Sequence, residues 1–214
     1  MSLPIRLLLL RHGNTFEAHE TPYQVGARSD LSLTSTGRLQ AEIFGQYAAS
    51  EGIDPAAIYV GALKRQTESA SILGKCLHAE DRIHFDLALT ELDYGLWEGL
   101  SSEEISSHWS KEYSEWTHEF IWPKAIFKDT FENTFKRIEE WIQRIQDLYA
   151  PGDTVIGVTS NGILRFFALL EKAKRTLPIE KVKTGHFCEL LLYDDHLKIR
   201  SWNVNPIIYL KSHK

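Results

Sequence analysis

The most marked pattern along the chain is an apolar run close to its start, residues 5–10, in which five of six positions are Ile or Leu. Apolar residues that follow one another without polar alternation are typical of a strand buried on both faces. The run ends at Arg11 and His12. Ligands of open α/β sheets bind beyond the carboxyl ends of strands, so these two side chains are placed to face a site. Taken alone, the stretch fits a strand-to-loop junction with a surface Arg-His pair equally well.

Helical and extended patterns alternate along the rest of the chain. A polar loop covers residues 15–30, and helical spacing appears over 39–50, 67–77, 131–148 and 163–170. Strands are predicted at 58–60, 83–89 and 154–159, and a hairpin from 190–193 and 197–202 ends the pattern. Such alternation favours a sheet covered on both faces. We therefore predict an α/β fold, a three-layer sandwich whose mostly parallel central sheet is flanked by helices.

Residues 101–131 differ in composition from the rest, because Ser, Glu, His and Trp dominate there. The segment is too small to fold alone, so it predicts a small helical cap inserted into one domain that spans residues 1–214. Its aromatic side chains have two interpretations: they pack the cap, or some of them wall a substrate pocket. For the second interpretation we select Trp116 and Trp122.

Bulk properties exclude several classes of function. The 24 Lys and Arg residues are outnumbered by 29 Asp and Glu, a net charge of −5, which argues against a nucleic acid or an anionic membrane as partner. The sequence has no run of about 20 apolar residues and no signal-peptide order at its start. Cys76 and Cys188 lack a metal-type spacing and are expected to be buried and inert. These features predict a cytoplasmic protein.

Groups capable of chemistry follow three predicted strands. Arg11 and His12 follow the first, Arg65 follows the second, Asn161 follows the third, and Glu91 precedes the cap. Two guanidinium groups can cradle a tetrahedral oxyanion. A neutral imidazole can attack phosphorus, and a carboxylic acid can protonate the leaving oxygen. Together they make a phosphomonoesterase that needs no metal and no cofactor.

These segments resemble the histidine phosphatase superfamily, the phosphoglycerate-mutase-like fold. Residues 11–15 (RHGNT) resemble its opening motif, and residues 30–41, 62–70, 91–100 and 158–165 resemble its following motifs in order, so the resemblance spans nearly the whole chain. It implies that His12 becomes a phosphohistidine, that Arg11 and Arg65 clamp the phosphate, and that Glu91 donates a proton. Phosphate or substrate contacts are expected from Asn14, Thr15, Asn161 and Gly162.

Two positions depart from the family pattern. Asn161 stands where the family has its second histidine, and Ala18 stands where members usually carry an asparagine. An amide can donate a hydrogen bond but cannot carry a positive charge, and losing one donor from an oxyanion site costs about 10²–10³ in rate. His19 and His186 are the candidates to replace the missing imidazole. Asn161 is equally suited to begin a helix, and Arg165 beyond it is expected to be structural.

The sequence therefore predicts a phosphomonoester hydrolase for a small phosphorylated metabolite. The rival from another class is a catalytically weak relative that binds a phosphorylated ligand as a sensor. A phosphoglycerate-mutase-type phosphotransferase is less favoured, because the chain is short and lacks the extended opening motif of those enzymes. The oligomeric state is not set by the sequence, and a homodimer is compatible with it.

Overall fold

A mixed sheet organises the computed structural model, which describes residues 3–171 and 180–210. Its strands are β1 (Ile5–Arg11), β2 (Ala57–Val60), β3 (Ile83–Phe85), β4 (Thr154–Thr159), β5 (Phe187–Leu192) and β6 (Leu197–Val204). They lie in the order β3-β2-β4-β1-β5-β6. The four strands from β3 to β1 run parallel, and β5 and β6 complete the sheet as an antiparallel hairpin. The predicted α/β class and mostly parallel sheet are confirmed.

Helices cover both faces of this sheet. They are α1 (Ser35–Ser50), α2 (Lys64–Leu77), α3 (Ser102–His108), α4 (Ser110–Ser114), α5 (Phe131–Leu148), α6 (Asn161–Leu169) and α7 (Ile207–Leu210). Single turns of 3₁₀-helix occupy Glu80–Arg82, Leu87–Leu89 and Gly95–Trp97, and a π-helical turn occupies Glu115–Glu119. Within the described residues, no helix combines the length and apolar composition that crossing a bilayer requires.

β1 lies between two separate apolar cores, as its continuous apolar run predicts. Leu7 and Leu9 face one side of the sheet, whereas Leu8 and Leu10 face the other, and all four are fully buried. The first core includes Trp141, Ile145, Ile163, Phe166 and Phe167. The second core includes Phe44, Ala48, Ile58, Ala70, Leu73 and Val158. Helices α5 and α6 therefore cover one face, and α1 and α2 cover the other, which gives the three layers.

Two predicted boundaries are wrong in ways that matter for the site. Helix α2 begins at Lys64 rather than at residue 67, because the Gln66 side chain accepts a hydrogen bond from the Leu63 N–H and closes the first turn early. Arg65 is thereby fixed in a helix instead of a loop. Helix α6 likewise begins at Asn161, two residues before the predicted start, so this side chain lies in its first turn.

The predicted strand over residues 83–89 is also shorter in the structure, where β3 ends at Phe85. Asp86 turns the chain into a 3₁₀ turn by accepting a hydrogen bond from the Ala88 N–H at 2.9 Å. A capping aspartate competes with strand continuation in this way. The turn leads directly to the segment that carries Glu91.

The segment predicted as a cap packs on the same core as the sheet. Trp116, Phe120 and Phe127 belong to the cluster that also contains Leu7 and Leu9. The Phe120 ring lies 5.4 Å from the Phe166 ring of α6, in an edge-to-face arrangement. That the segment is an insertion into a single domain stays a prediction.

A close approach of two glycines holds the chain directly after His12. A Cβ atom on Gly13 would clash with the Gly37 carbonyl oxygen and would lie 2.6 Å from its carbon. The Gly37 backbone belongs to the first turn of α1, so it has no flexible atom that could yield. This corner therefore requires glycine.

We expect the Gly13→Ala substitution to lower the free energy of unfolding by about 1–3 kcal/mol, the usual cost of overpacking a tight contact. Urea denaturation followed by tryptophan fluorescence measures this change. An unchanged free energy of unfolding would show that the two backbones are free to separate.

Candidate active site

The parallel pairing of β1 with β4 brings the first site residues together. Arg11 lies opposite Thr159 in the register, and the His12 N–H extends the ladder by donating to the Thr159 carbonyl at 3.0 Å. Asn161 follows two residues after Thr159, at the start of α6. The convergence that the strand ends predicted is thus present at one edge of the sheet.

His12 is held as a neutral imidazole with one defined tautomer. Its Nδ1 lies 2.8 Å from the Gly13 carbonyl oxygen, which can only accept, so Nδ1 carries the proton. Its Nε2 accepts a hydrogen bond from Arg65 Nε at 3.2 Å. The side chain is 6 % exposed, and burial, followed by the charges of Arg11 and Arg65, holds its pKa well below 6.5. A lone pair on Nε2 is therefore available at neutral pH.

Arg65 is the most deeply buried cation of the site, at 1 % exposure. Its Nη1 donates to the Ser29 carbonyl at 2.6 Å, and its Nη2 donates to the Gly26 carbonyl at 3.1 Å. Burial lowers the pKa of Arg65, whereas the Glu91 carboxylate raises it. The loop of residues 15–30, featureless in sequence, thus supplies the carbonyl groups that aim this guanidinium at His12.

The peptide of Val182 ties the other arginine to Asn161. Arg11 Nη1 donates to the Val182 carbonyl at 2.6 Å, and the Val182 N–H donates to Asn161 Oδ1 at 3.0 Å. Arg11 Nε is buried and has no hydrogen-bond partner among the described residues. Because Oδ1 of Asn161 is already engaged, its Nδ2 group is the donor that a ligand can use.

Glu91 lies in the same cluster, and the residue as a whole is 5 % exposed to solvent. Its Oε1 accepts a hydrogen bond from the Leu92 N–H at 2.9 Å, and its Oε2 accepts one from the Gly162 N–H at 3.1 Å. Burial raises the pKa of Glu91, although these hydrogen bonds and the charges of Arg65 and Arg11 act against the rise. Glu91 and His12 both line the same cavity.

Gly162 makes room for this acid. A Cβ atom there would clash with Glu91 Oε1 and lie 2.5 Å from the Tyr94 hydroxyl oxygen. Burial raises the pKa of Tyr94 well above 10, so its hydroxyl keeps its proton. The structure therefore gives Gly162 a contact with Glu91, where the sequence predicted a contact with phosphate.

A cavity of about 590 Å³ opens in front of these groups. Of the residues predicted for the site, those that line it are Arg11, His12, Asn14, Thr15, Glu91, Trp116 and Asn161. Arg65 and Gly162 lie behind this lining and touch it through His12 and Glu91. The structure thus brings together most of the predicted set.

Trp122 is a correction, because its ring does not line this cavity. It packs edge to face against Trp116 and Phe127, with ring centres 5.7 and 5.1 Å apart. Its outer edge contributes to a separate cavity of about 330 Å³. Of the two tryptophans selected as substrate wall, Trp116 lines the cavity, and its role there stays a prediction, whereas the partly buried Trp122 packs against the apolar core.

Neither histidine proposed to replace the missing imidazole reaches the cavity. His19 is exposed on the loop after the opening motif and is absent from the cavity lining. His186 Nδ1 lies 3.1 Å from the Asn203 carbonyl oxygen and 3.0 Å from its Oδ1, which fixes the ring outside the site. Asn161 therefore stands in this site without a substitute from either residue.

Sequence reasoning missed two cationic residues of the cavity wall, Arg165 and Lys181. Arg165, expected to be structural, lies one helical turn beyond Asn161 and therefore on the same face of α6, a spacing that the sequence does contain. Lys181 belongs to a segment between elements, where no periodicity shows which side chains face inward. Its position follows from the path of the chain in three dimensions.

Comparison with known proteins agrees with this geometry. Residues 7–205 match the histidine phosphatase superfamily (branch 1). An acid phosphatase of Mycobacterium tuberculosis is 33% identical over 113 residues, which are 53% of this chain and 52% of that protein. A 2,3-bisphosphoglycerate-dependent phosphoglycerate mutase of Corynebacterium diphtheriae is 28% identical over 132 residues, 59% of this chain and 51% of the mutase. The chain spans about half the length of these two relatives.

Solved structures share the fold over almost the full length. A mycobacterial glucosyl-3-phosphoglycerate phosphatase superposes with a TM-score of 0.77 at 20% identity, covering 94% of this chain and 99% of its own. A second mycobacterial hydrolase gives a TM-score of 0.80 at 19% identity, with coverage of 100% and 98%. The family match extends from β1 to the residue after β6 and includes every strand of the sheet. The chain belongs to the histidine phosphatase superfamily.

Proposed function

We propose that this protein is a phosphomonoester hydrolase that acts on a small phosphorylated metabolite through a phosphohistidine on His12. One observation carries the proposal: a neutral imidazole in the cavity lining whose Nε2 is held by Arg65 Nε, with Arg11 and a carboxyl group of raised pKa in the same lining. A nucleophile, an anion clamp and an acid are the three parts that phosphoryl transfer to a side chain needs.

In the first step the phosphate group of the substrate enters between Arg11 and Arg65. Arg65 Nε, which donates to His12 Nε2 in the structure, turns its hydrogen bond to a phosphoryl oxygen and frees the lone pair. Nε2 then forms the N–P bond while the ester O–P bond breaks. The leaving oxygen takes the electron pair and receives the proton of Glu91.

In the second step the Glu91 carboxylate removes a proton from water as the water oxygen attacks phosphorus. The N–P bond breaks, its electron pair returns to Nε2, and inorganic phosphate leaves. Asn161 and Arg11 donate hydrogen bonds to the equatorial oxygens in both steps, since Asn161 Oδ1 already accepts from the Val182 N–H and Arg11 Nε has no hydrogen-bond partner among the described residues. Glu91 gives or takes every proton that moves in these two steps.

Asn161 favours a second candidate, a sensor that binds a phosphorylated ligand and turns it over slowly. The amide replaces a group that would carry a positive charge beside the transferring phosphate. A phosphotransferase is the third candidate function, because the sequence is similar to that of a phosphoglycerate mutase. The similarity covers 51% of the length of that mutase. For the hydrolase, we propose the cytoplasm as the location, on the basis of the sequence's composition.

Removing the nucleophile separates the hydrolase from the sensor. We expect wild-type protein to hydrolyse p-nitrophenyl phosphate and the His12→Ala variant to lose at least about 10³ in kcat/KM, because the variant lacks the imidazole that forms the N–P bond. His19→Ala is the matched control, since this exposed histidine lies outside the cavity. Wild-type protein that binds inorganic phosphate without any turnover would favour the sensor.

The pH dependence of kcat/KM reports the two titrating groups. His12 must be unprotonated, and its lowered pKa puts the acid limb below pH 6.5. Glu91 must be protonated, and its raised pKa puts the alkaline limb above pH 4.5. We expect a bell-shaped profile between these two limbs and, in Glu91→Gln, loss of the alkaline limb.

The same variant separates acid catalysis from a structural effect. Glu91→Gln should lose about 10²–10⁴ in kcat/KM with an alkyl phosphate, whose leaving oxygen needs a proton. The loss should be much smaller with p-nitrophenyl phosphate, whose leaving group departs as a stable anion. Equal losses with both substrates would remove Glu91 from the role of acid.

Restoring the family's histidine tests what Asn161 costs. We expect Asn161→His to raise kcat/KM by about tenfold to 10²-fold, because an imidazolium adds charge to the oxyanion site, while the lost bond to the Val182 N–H limits the gain. Steady-state kinetics beside wild type measures the change. Flat or lower activity would contradict the idea that Asn161 weakens the enzyme.

A further inference from the structure

Arg165 is a buried cation that the catalytic sequence leaves unused. It lines the cavity from α6 and is 5 % exposed. Its Nη2 donates to the Trp116 carbonyl at 2.9 Å, and its guanidinium carbon lies 4.3 Å from the Trp116 ring centre and 4.0 Å from that of Phe120. Two aromatic faces and one carbonyl therefore fix the group in one orientation.

No carboxylate among the described residues forms an ion pair with Arg165, and its Nε is buried without a partner. Burial lowers its pKa to about 10, which leaves it charged at neutral pH. A buried charge without an anionic partner is costly, and an unmatched buried N–H adds to the cost. Such a group is explained if a ligand supplies the missing anion.

A second cation faces the same part of the cavity. Lys181 is an exposed residue that belongs to the lining, and partial burial, followed by the charges of Arg11 and Arg165, lowers the pKa of its ammonium group. The described carboxylates that line the cavity are Glu17, Glu20 and Glu91. Glu17 and Glu20 lie on the loop after the opening motif, and Glu91, whose charge acts on both Arg165 and Lys181, is the proposed acid. The wall between Arg165 and Lys181 is therefore cationic.

We propose that Arg165 and Lys181 form a second anion site, and that the substrate is a phosphomonoester with a further anionic group, a carboxylate or a second phosphate. This inference rests on the proposed function of the same cavity. The clamp of Arg11 and Arg65 holds the phosphate that is transferred, while the second site holds the leaving group. A planar guanidinium with a free Nε–H suits a carboxylate or phosphate oxygen. The two rings beside Arg165 exclude water and strengthen that bond.

The test measures binding in the His12→Ala protein, which cannot turn substrate over. Calorimetry compares 2-phosphoglycolate with 2-hydroxyethyl phosphate, and 4-carboxyphenyl phosphate with phenyl phosphate. Members of each pair differ in one carboxylate, and the two pairs place it at a short and at a long distance. We expect at least one carboxylate ligand to bind about tenfold more tightly than its neutral partner. Equal affinities within both pairs would overturn the second anion site.

Variants assign the preference to the two cations. Lys181→Met should reduce the preference about tenfold, and Arg165→Lys should reduce it less than Arg165→Met, since lysine keeps the charge but loses the planar donors. Lys183→Met is the matched control, because this exposed lysine lies two residues away and outside the cavity lining. A preference that Lys181→Met and Lys183→Met change equally contradicts the inference. If Arg165→Met fails to fold, the ligand preferences of Lys181→Met and Arg165→Lys still test the inference.

The two proposals fail in different ways. Wild-type protein that does not hydrolyse any of these phosphates would overturn the hydrolase and leave the binding preference intact. Hydrolysis without a preference for the carboxylate ligands would keep the hydrolase and remove the second anion site.

Discussion

The positive charges of Arg11 and Arg65 both act on the imidazole of His12 and lower its pKa. The ring is stable between them because it is neutral and its Nε2 accepts a hydrogen bond from Arg65. The contact between Arg65 Nε and His12 Nε2 constrains the rest of the site. It requires the proton of the ring to lie on Nδ1, where the Gly13 carbonyl accepts it. It also requires Arg65 to be buried without a carboxylate in direct contact, so backbone carbonyls of Gly26 and Ser29 satisfy its other donors. An anionic substrate then meets positive charge that is already in place, which is the arrangement that lowers the cost of reaching a charged transition state.

The sheet supplies this arrangement through its parallel strands. β1 and β4 end side by side, so Arg11, His12 and Asn161 come from adjacent strand ends, and α2 brings Arg65 from beyond the end of β2. Asn161 has a double role here, because its oxygen anchors the Val182 peptide that also accepts from Arg11. In the proposed mechanism, the amide at this position therefore positions Arg11 as well as facing the ligand. A histidine at the same position would have to make that anchor differently.

The fold and the reacting groups could be predicted from sequence to different extents. The apolar run of β1 and the alternation of elements indicated the layered sheet, and residues after strand ends indicated His12 and Arg11, because both signals are local. Arg65 was named but left two residues before the predicted helix, since the early start of α2 depends on a side-chain hydrogen bond that periodicity does not contain. Trp122 was assigned to the pocket from aromatic density alone, and only packing distinguishes it from Trp116. Lys181 gave no signal, because its position depends on where a segment between elements crosses the cavity.

The covalent intermediate is the central claim, and trapping it tests the account most directly. Protein mixed with a ³²P-labelled phosphomonoester is quenched in alkali within the first turnover, digested and mapped, and the linkage is assigned by ³¹P NMR on unlabelled material. The account predicts one phosphate per chain at most, on His12, bonded to Nε2 because Nδ1 is engaged with the Gly13 carbonyl, stable to alkali and labile to acid. Turnover of the substrate without label on the protein, or label on a residue other than His12, would contradict it.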